Sequence, residues 1–258
     1  MGYGAMRLPG PGVCGPPPDR NAAVGVVRRA FELGVRVIDT AWYYGPEVAH
    51  RILAEALSPY PDDLVLVTKL GGARRDDGTW YADLSASGLR RGCEHDLRLL
   101  GLHEVPVTHL RWDDEAGVPF EDALETMLEL QKEGKIRHLG LSNVSLGQLE
   151  LAMTQAEIVT VSNAYSVTDR SDDAVVDRCT AHAIPYLPYF PLAIGKVAGH
   201  SALLQAAEQL GATAAQVALA WLLSRSPVML PIPGTRSLQH LEENVAAAGI
   251  SLPAEMLP

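Results

Sequence analysis

The sequence predicts an α/β protein, a (β/α)8 TIM barrel formed as a single domain by residues 1–258. Eight short apolar runs alternate with longer amphipathic runs along the chain, and such alternation is typical of parallel strands joined by right-handed helical crossovers. Eight is also the number of strands that a closed barrel needs. A Gly-x-Gly-x-x-Gly spacing occurs at residues 10–15, but it lies in a proline-rich segment and does not lead directly into the first predicted helix, so it does not favour the alternative of an open, doubly wound sheet.

The predicted strands are short and mostly apolar, as parallel strands buried on both faces are. They comprise residues 3–6, 36–39, 64–69, 107–111, 138–142, 159–163, 185–190 and 228–231. The predicted helices fill the gaps and carry apolar residues at helical spacing. They comprise residues 20–33, 46–57, 89–100, 120–133, 146–155, 172–183, 214–224 and 238–247, with an extra helix over residues 201–210.

Composition excludes several classes of function. Lys and Arg total 21 against 31 Asp and Glu, a net charge of −10, and nucleic-acid binding needs clustered cations instead. The three cysteines are scattered, which favours a reducing cytoplasm over a disulfide framework. No spacing of Cys and His is typical of a metal site, and no apolar run is long enough to span a bilayer. We therefore predict a cytoplasmic protein with no metal, nucleic-acid or membrane partner, and leave its oligomeric state open.

Polar residues end several of the predicted strands. Asp39, Lys69 and Arg111 each end an otherwise apolar run, and Tyr44 follows Asp39 in the same loop. Charged groups on buried strands are costly unless they are paired or functional, and barrel active sites lie at the carboxyl ends of the strands. The alternative is that Asp39 and Lys69 form a structural ion pair.

Five segments, in this order along the chain, resemble the motifs of the aldo-keto reductase family. They are residues 37–45, 67–69, 133–143, 189–192 and 233–236. Within the family, residues 2–20 are closest to the bacterial pyridoxal reductase subgroup. The resemblance implies an NADPH-dependent oxidoreductase that converts an aldehyde or ketone to an alcohol by hydride transfer, with a small-molecule carbonyl substrate and a tyrosine as the acid.

The resemblance also implies catalytic roles. Tyr44 is the acid that protonates the carbonyl oxygen, Lys69 favours the ionised phenol, and Asp39 holds Lys69 in place. Arg111 stands where the family usually has histidine; arginine cannot shuttle a proton, but it can donate hydrogen bonds to a developing alkoxide or bind an anion. His109 lies two residues earlier on the same face of the strand, and both a catalytic role and a place in the core remain open.

The nicotinamide end of the cofactor is expected at the later strands. Ser142 and Asn143 resemble the pair that hydrogen-bonds the carboxamide; alternatively they cap the next helix, with Ser145 as the rival cap. Ser162 stands where the family commonly has glutamine for the same group. Tyr189 resembles the ring that stacks under the nicotinamide, and its alternative is simple core packing.

The phosphate end is expected at the last helix, because helix N-termini attract phosphate. Arg236 adds a guanidinium fork suited to a 2′-phosphate, which favours NADPH over NADH; alternatively it is a solvated surface charge. The cofactor-binding residues predicted in the two late segments and the last helix are Pro191, Leu192, Gly234, Thr235, Arg236, His240 and Asn244.

Two other functions remain open at this point. The departures from the family pattern at the fourth and sixth strands could adapt the pocket to dehydration, cyclisation or isomerisation in a biosynthetic pathway. The chain could also be a non-catalytic NADPH-binding protein. The complete set of Asp39, Tyr44 and Lys69 argues against the latter, because binding alone does not need a phenol beside a cation.

Overall fold

The computed structural model describes residues 1–253. Its strands are β1 (Tyr3–Gly4), β2 (Val37–Asp39), β3 (Val65–Leu70), β4 (Gly72–Arg74), β5 (Trp80–Ala82), β6 (Val105–Arg111), β7 (Ile136–Ser142) and β8 (Ile158–Ser162). Six of them form one parallel sheet in the order β1-β2-β3-β6-β7-β8. Strands β4 and β5 form a separate antiparallel hairpin that leaves the sheet directly after β3.

Helices connect and cover the strands. They are α1 (Arg20–Glu32), α2 (Val48–Leu57), α3 (Ala86–Leu100), α4 (Phe120–Lys132), α5 (Leu146–Gln155), α6 (Asp173–Ala181), α7 (Ser201–Leu210), α8 (Ala214–Arg225) and α9 (Leu238–Ala246). Their apolar faces pack on the sheet and bury large clusters of aliphatic side chains. In the described part of the chain, we find no helix with the length and apolar character needed to cross a membrane.

The sheet continues beyond β8 through two extended segments in place of the predicted seventh and eighth strands. Single bridges join Val161 to Tyr186 and Tyr186 to Met229, and the Gly2 N–H then donates to the Pro231 carbonyl at 2.9 Å. The prediction of two further continuous strands was therefore wrong. Proline has no N–H to donate, and it interrupts these segments at positions 185, 188, 231 and 233. The α/β class is confirmed, and the arrangement fits a (β/α)8 barrel although the continuous sheet has six strands.

Several predicted boundaries also differ from the structure. The first strand ends at Gly4 and continues as a 3-10 helix over Ala5–Arg7. Helix α2 begins two residues later than predicted, because Glu47 has a φ of 63° and cannot belong to a right-handed helix. Helix α3 begins three residues earlier, since the Ser85 side chain accepts a hydrogen bond from the Gly88 N–H and caps it.

Candidate active site

The carboxyl ends of the parallel strands surround a cavity of about 660 Å³. Asp39 ends β2, Lys69 lies one residue before the end of β3, and Arg111 ends β6. All three line the cavity together with Tyr44. The structure therefore brings these four residues to one cavity. Three of them were predicted from strand ends and Tyr44 from a family motif.

Tyr44, Lys69 and Asp39 form a buried chain of polar groups at the floor of this cavity. The Lys69 ammonium donates a hydrogen bond to Asp39 Oδ1, and its Nζ lies 3.4 Å from the Tyr44 hydroxyl. Asp39 is 3%, Lys69 4% and Tyr44 6% exposed. Low exposure strengthens the attraction between the two charges, because little water screens it.

Burial has the largest influence on the pKa of Tyr44 and raises it well above its ordinary value. The Asp39 carboxylate raises this pKa further, whereas Arg111 opposes both. Tyr44 therefore keeps its proton at neutral pH and can act as a donor.

Burial also dominates the electrostatics of Asp39. Burial raises the pKa of its carboxyl above the ordinary value, and Lys69 opposes this shift through its charge and its hydrogen bond. Among the residues that the structure describes, the second oxygen, Oδ2, is buried without a hydrogen-bond partner. Within this part of the chain the carboxylate depends on Lys69 to compensate its removal from water.

His109 lies in the interior beneath the cavity and does not line it. Its Nε2 lies 2.6 Å from Thr160 Oγ1. Its Nδ1 has no hydrogen-bond partner among the described residues. Burial, followed by the charge of Lys69, holds the pKa of this imidazole well below its ordinary value, so the ring is neutral. The ring fits because residue 140 on the adjacent strand is glycine, where a Cβ would collide with the imidazole. The geometry favours the core alternative over a catalytic contact.

Arg111 lines the cavity. Its side chain is 30% exposed, and Nη1 lies 3.6 Å from Asp113 Oδ2. This separation is too long for a hydrogen bond, so Asp113 does not occupy the donors of the guanidinium.

Three of the residues predicted to hold the nicotinamide line the same cavity: Ser142, Asn143 and Tyr189. The Tyr189 hydroxyl donates to Asn143 Oδ1 at 2.5 Å. Ser145 caps α5 in a capping box with Gln148, which removes the alternative that Ser142 or Asn143 is the cap.

Ser162 is not brought to the cavity surface. It is fully buried, and its hydroxyl donates to the Leu187 carbonyl at 2.8 Å. Its neighbour Asn163, which ends the same predicted strand, holds the segment after Asn143 instead. The Asn163 side chain accepts from the Val144 N–H at 3.1 Å and donates to the Val144 carbonyl at 2.7 Å.

The predicted phosphate-end residues divide into two groups. Pro191, Leu192 and Gly234 line the cavity. The others lie outside its lining, on the segment that leads into α9 and on α9 itself; they are Thr235, Arg236, His240 and Asn244. Arg236 donates to the Pro9 carbonyl at 2.9 Å, and the Ser237 side chain caps α9 by accepting from the His240 N–H.

Two further aromatic residues line the cavity. The sequence places Trp80 in a loop beside the mouth of the barrel, and in the structure it reaches the cavity from the β4–β5 hairpin. Tyr43 lines the cavity next to Tyr44, and among the described residues its buried hydroxyl has no hydrogen-bond partner. In the described residues, no group of three or more His, Cys, Asp or Glu is arranged to hold a metal ion.

Comparison with known proteins identifies the family of the chain. Residues 1–258 match the model of the Aldo/keto reductase family. Pyridoxine 4-dehydrogenase from Escherichia coli K12 is 47% identical over 100% of this chain and 92% of its own length. An uncharacterized oxidoreductase from Schizosaccharomyces pombe is 39% identical over 99% of this chain and 83% of its own.

Among solved structures, an aldo-keto reductase from Klebsiella pneumoniae in complex with NADPH superposes with a TM-score of 0.80 at 28% identity, covering 98% of this chain and 87% of that one. The family prediction is therefore confirmed: the chain belongs to the aldo/keto reductase family of oxidoreductases.

Proposed function

We propose that this oxidoreductase uses NADPH to reduce an aldehyde or ketone to an alcohol, with Tyr44 as the acid. The observation that carries the proposal is the buried Tyr44 hydroxyl, 3.4 Å from Lys69 Nζ, at the floor of a cavity of about 660 Å³. Binding alone does not need this costly arrangement of buried polar groups.

We also propose that the chain forms one closed (β/α)8 barrel domain. Backbone hydrogen bonds support this closure, because they lead from β8 through Leu187 and Leu230 to Gly2 beside β1. A closed barrel gathers all strand ends around one cavity, so a single large ligand could touch both the early and the late segments.

The residues present fit an NADPH molecule. Tyr189, Asn143 and Ser142 offer a ring, an amide and a hydroxyl to the nicotinamide end. Gly234 lines the cavity on the segment that leads to α9, and its lack of a side chain allows close packing against Gly4, whose carbonyl oxygen would lie 2.5 Å from a Cβ at this position. When bound, NADPH supplies the hydride that the reduction consumes.

The chain's own residues manage the proton and the charge. Tyr44 donates its proton to the substrate oxygen as negative charge develops there. Lys69 then stabilises the phenolate that remains, and Asp39 keeps Lys69 charged and oriented. Arg111, which lines the same cavity, donates hydrogen bonds to the developing alkoxide or binds an anionic group of the substrate.

The Escherichia coli relative is named for pyridoxine, an aromatic alcohol, so pyridoxal is the first aldehyde to test. The purified chain is incubated with NADPH and pyridoxal, and both NADPH loss and the alcohol product are measured. Equal amounts of the two support the proposal. A product formed without NADPH consumption would support the non-redox alternative, and NADPH binding with no turnover of any aldehyde would support the non-catalytic one.

The pH dependence of the reduction follows from the raised pKa of Tyr44. The acid must be protonated, and its pKa lies above the usual phenol value, so kcat for reduction is expected to show no alkaline fall below about pH 10. Alcohol oxidation needs the ionised phenol and is expected to become faster as the pH rises. Initial rates at saturating substrate in both directions check this, and an alkaline fall in reduction near pH 8 would contradict it.

Cofactor preference is expected to depend on Arg236. Arg236→Gln removes a charged donor from the proposed 2′-phosphate site, so KM for NADPH is expected to rise by about tenfold or more. KM for NADH, which has no 2′-phosphate, serves as the internal control and should stay unchanged. Equal increases for both cofactors would show that Arg236 acts only through its hydrogen bond to Pro9.

A further inference from the structure

The β4–β5 hairpin carries two adjacent aromatic residues, Trp80 and Tyr81, and only Trp80 lines the cavity. Trp80 pairs with Arg74 across the hairpin, lines the cavity and is 43% exposed. The next residue, Tyr81, is 37% exposed and does not line that cavity, as expected from the alternation of side chains along a strand. The hairpin therefore adds a single indole ring to the cavity wall.

The Arg74 guanidinium lies against the indole ring of Trp80. Its guanidinium carbon lies 3.5 Å from the centre of the Trp80 ring, a cation–π contact. The guanidinium also donates to the Gly78 carbonyl at 2.5 Å and to the Val13 carbonyl at 2.9 Å. One side chain thus connects the hairpin turn, the loop after β1 and one face of the indole.

The other contacts of the indole lead to the proton donor. Trp80 meets Tyr43 edge to face, with ring centres 5.5 Å apart, and meets Tyr44 at 6.3 Å. Tyr43 in turn packs against the base of the hairpin, where a Cβ on Gly72 would lie 2.7 Å from its ring. Contacts with Arg74, Tyr43 and Tyr44 therefore hold the indole in one orientation. The last of these residues is the proposed proton donor.

We propose that Trp80 determines substrate specificity by favouring planar aromatic aldehydes, and that Arg74 is the positioning residue that holds it. This inference rests on the proposed reductase function. A fixed indole beside Tyr44 gives a flat ring a stacking partner at little entropic cost. A saturated ring of the same size gains less from it, because it has no π-face.

The test compares benzaldehyde with cyclohexanecarbaldehyde, two six-membered-ring aldehydes that differ in planarity. The measured quantity is the ratio of their kcat/KM values, so differences in intrinsic reactivity cancel between variants. Trp80→Ala is expected to lower this ratio by about tenfold, and Trp80→Phe, which keeps an aromatic ring, by no more than about threefold. An unchanged ratio in Trp80→Ala would overturn the inference.

The role of Arg74 is tested in the same way. Arg74→Met is expected to lower the ratio by about threefold to tenfold, mainly through KM for benzaldehyde. In the Trp80→Ala background the same substitution should have no further effect on the ratio, because its target is gone. An equal effect in both backgrounds would show that Arg74 does not act through Trp80.

Tyr81→Ala is the matched control. Tyr81 also lies under an arginine, with the Arg75 guanidinium carbon 5.0 Å from its ring centre, but it faces away from the cavity. Its removal should leave the ratio unchanged. If the wild-type chain reduces neither aldehyde nor pyridoxal, the reductase function and this inference both fail; if it reduces both test aldehydes and Trp80→Ala slows them equally, only the inference fails.

Discussion

Replacing Tyr44 by phenylalanine is expected to lower kcat for carbonyl reduction by about two to four orders of magnitude, the usual contribution of a positioned acid. Phenylalanine keeps the aromatic ring, which packs edge to face against Tyr43 with ring centres 5.4 Å apart. Only the hydroxyl beside Lys69 is lost. NADPH affinity should therefore change little, and a fluorescence titration measures it separately from turnover.

Tyr60→Phe is the matched control for this experiment. Like Tyr44→Phe, it removes a buried phenol hydroxyl, but in the described part of the chain the Tyr60 hydroxyl has no hydrogen-bond partner, and Tyr60 does not line the cavity. Its turnover should equal that of the wild type. Full turnover in Tyr44→Phe would remove Tyr44 from the mechanism and leave the buried polar groups with a structural role.

Lys69→Met should reduce both activity and stability. The substitution leaves the Asp39 carboxylate buried without a partner, so the free energy of unfolding at neutral pH is expected to fall by about 3–5 kcal/mol. Adding Asp39→Asn to this variant removes the unpaired charge. The double variant should regain much of the lost stability while remaining inactive, and urea unfolding of the three proteins measures the difference.

The pH dependence of the Lys69→Met variant has a definite sign. Burial raises the pKa of Asp39 in the folded chain, and loss of Lys69 removes the effect that opposed it. The folded state then holds a proton that the unfolded state releases, so stability falls as the pH rises from the unfolded pKa of about 3.9 through the folded one. Stability should be partly regained on acidification toward that lower value. A variant whose stability is unaffected by pH in this range would show that Asp39 finds another partner.

The sequence was sufficient for residues whose position follows from the direction of the chain. Parallel strands end on one side of a sheet, so Asp39 and Arg111, which end strands, had to lie near each other. Tyr44 was identified from its motif, and its hydroxyl lies 3.4 Å from Lys69 Nζ. The prediction for Asp39 and Arg111 needed only strand direction, whereas the one for Tyr44 needed the resemblance to the family.

Predictions that depended on distant partners could not be made in this way. The hydroxyl of Ser162 turns to the carbonyl of Leu187, an acceptor 25 residues away. Likewise, the absence of a side chain at Gly140 on the neighbouring strand gives His109 room in the interior. Side-chain orientation and available volume that depend on a distant segment cannot be predicted from the periodicity of the local sequence.

The prolines at positions 185, 188, 231 and 233 have a consequence for the way the enzyme turns over. They leave the sector that carries Tyr189 and Gly234 with few main-chain hydrogen bonds, whereas β3, β6 and β7 are joined by continuous ladders. Local opening costs least where such bonds are sparse. We therefore expect this sector to open at a lower cost than the one that bears the ionised pair, and to be the part that moves when a dinucleotide enters or leaves.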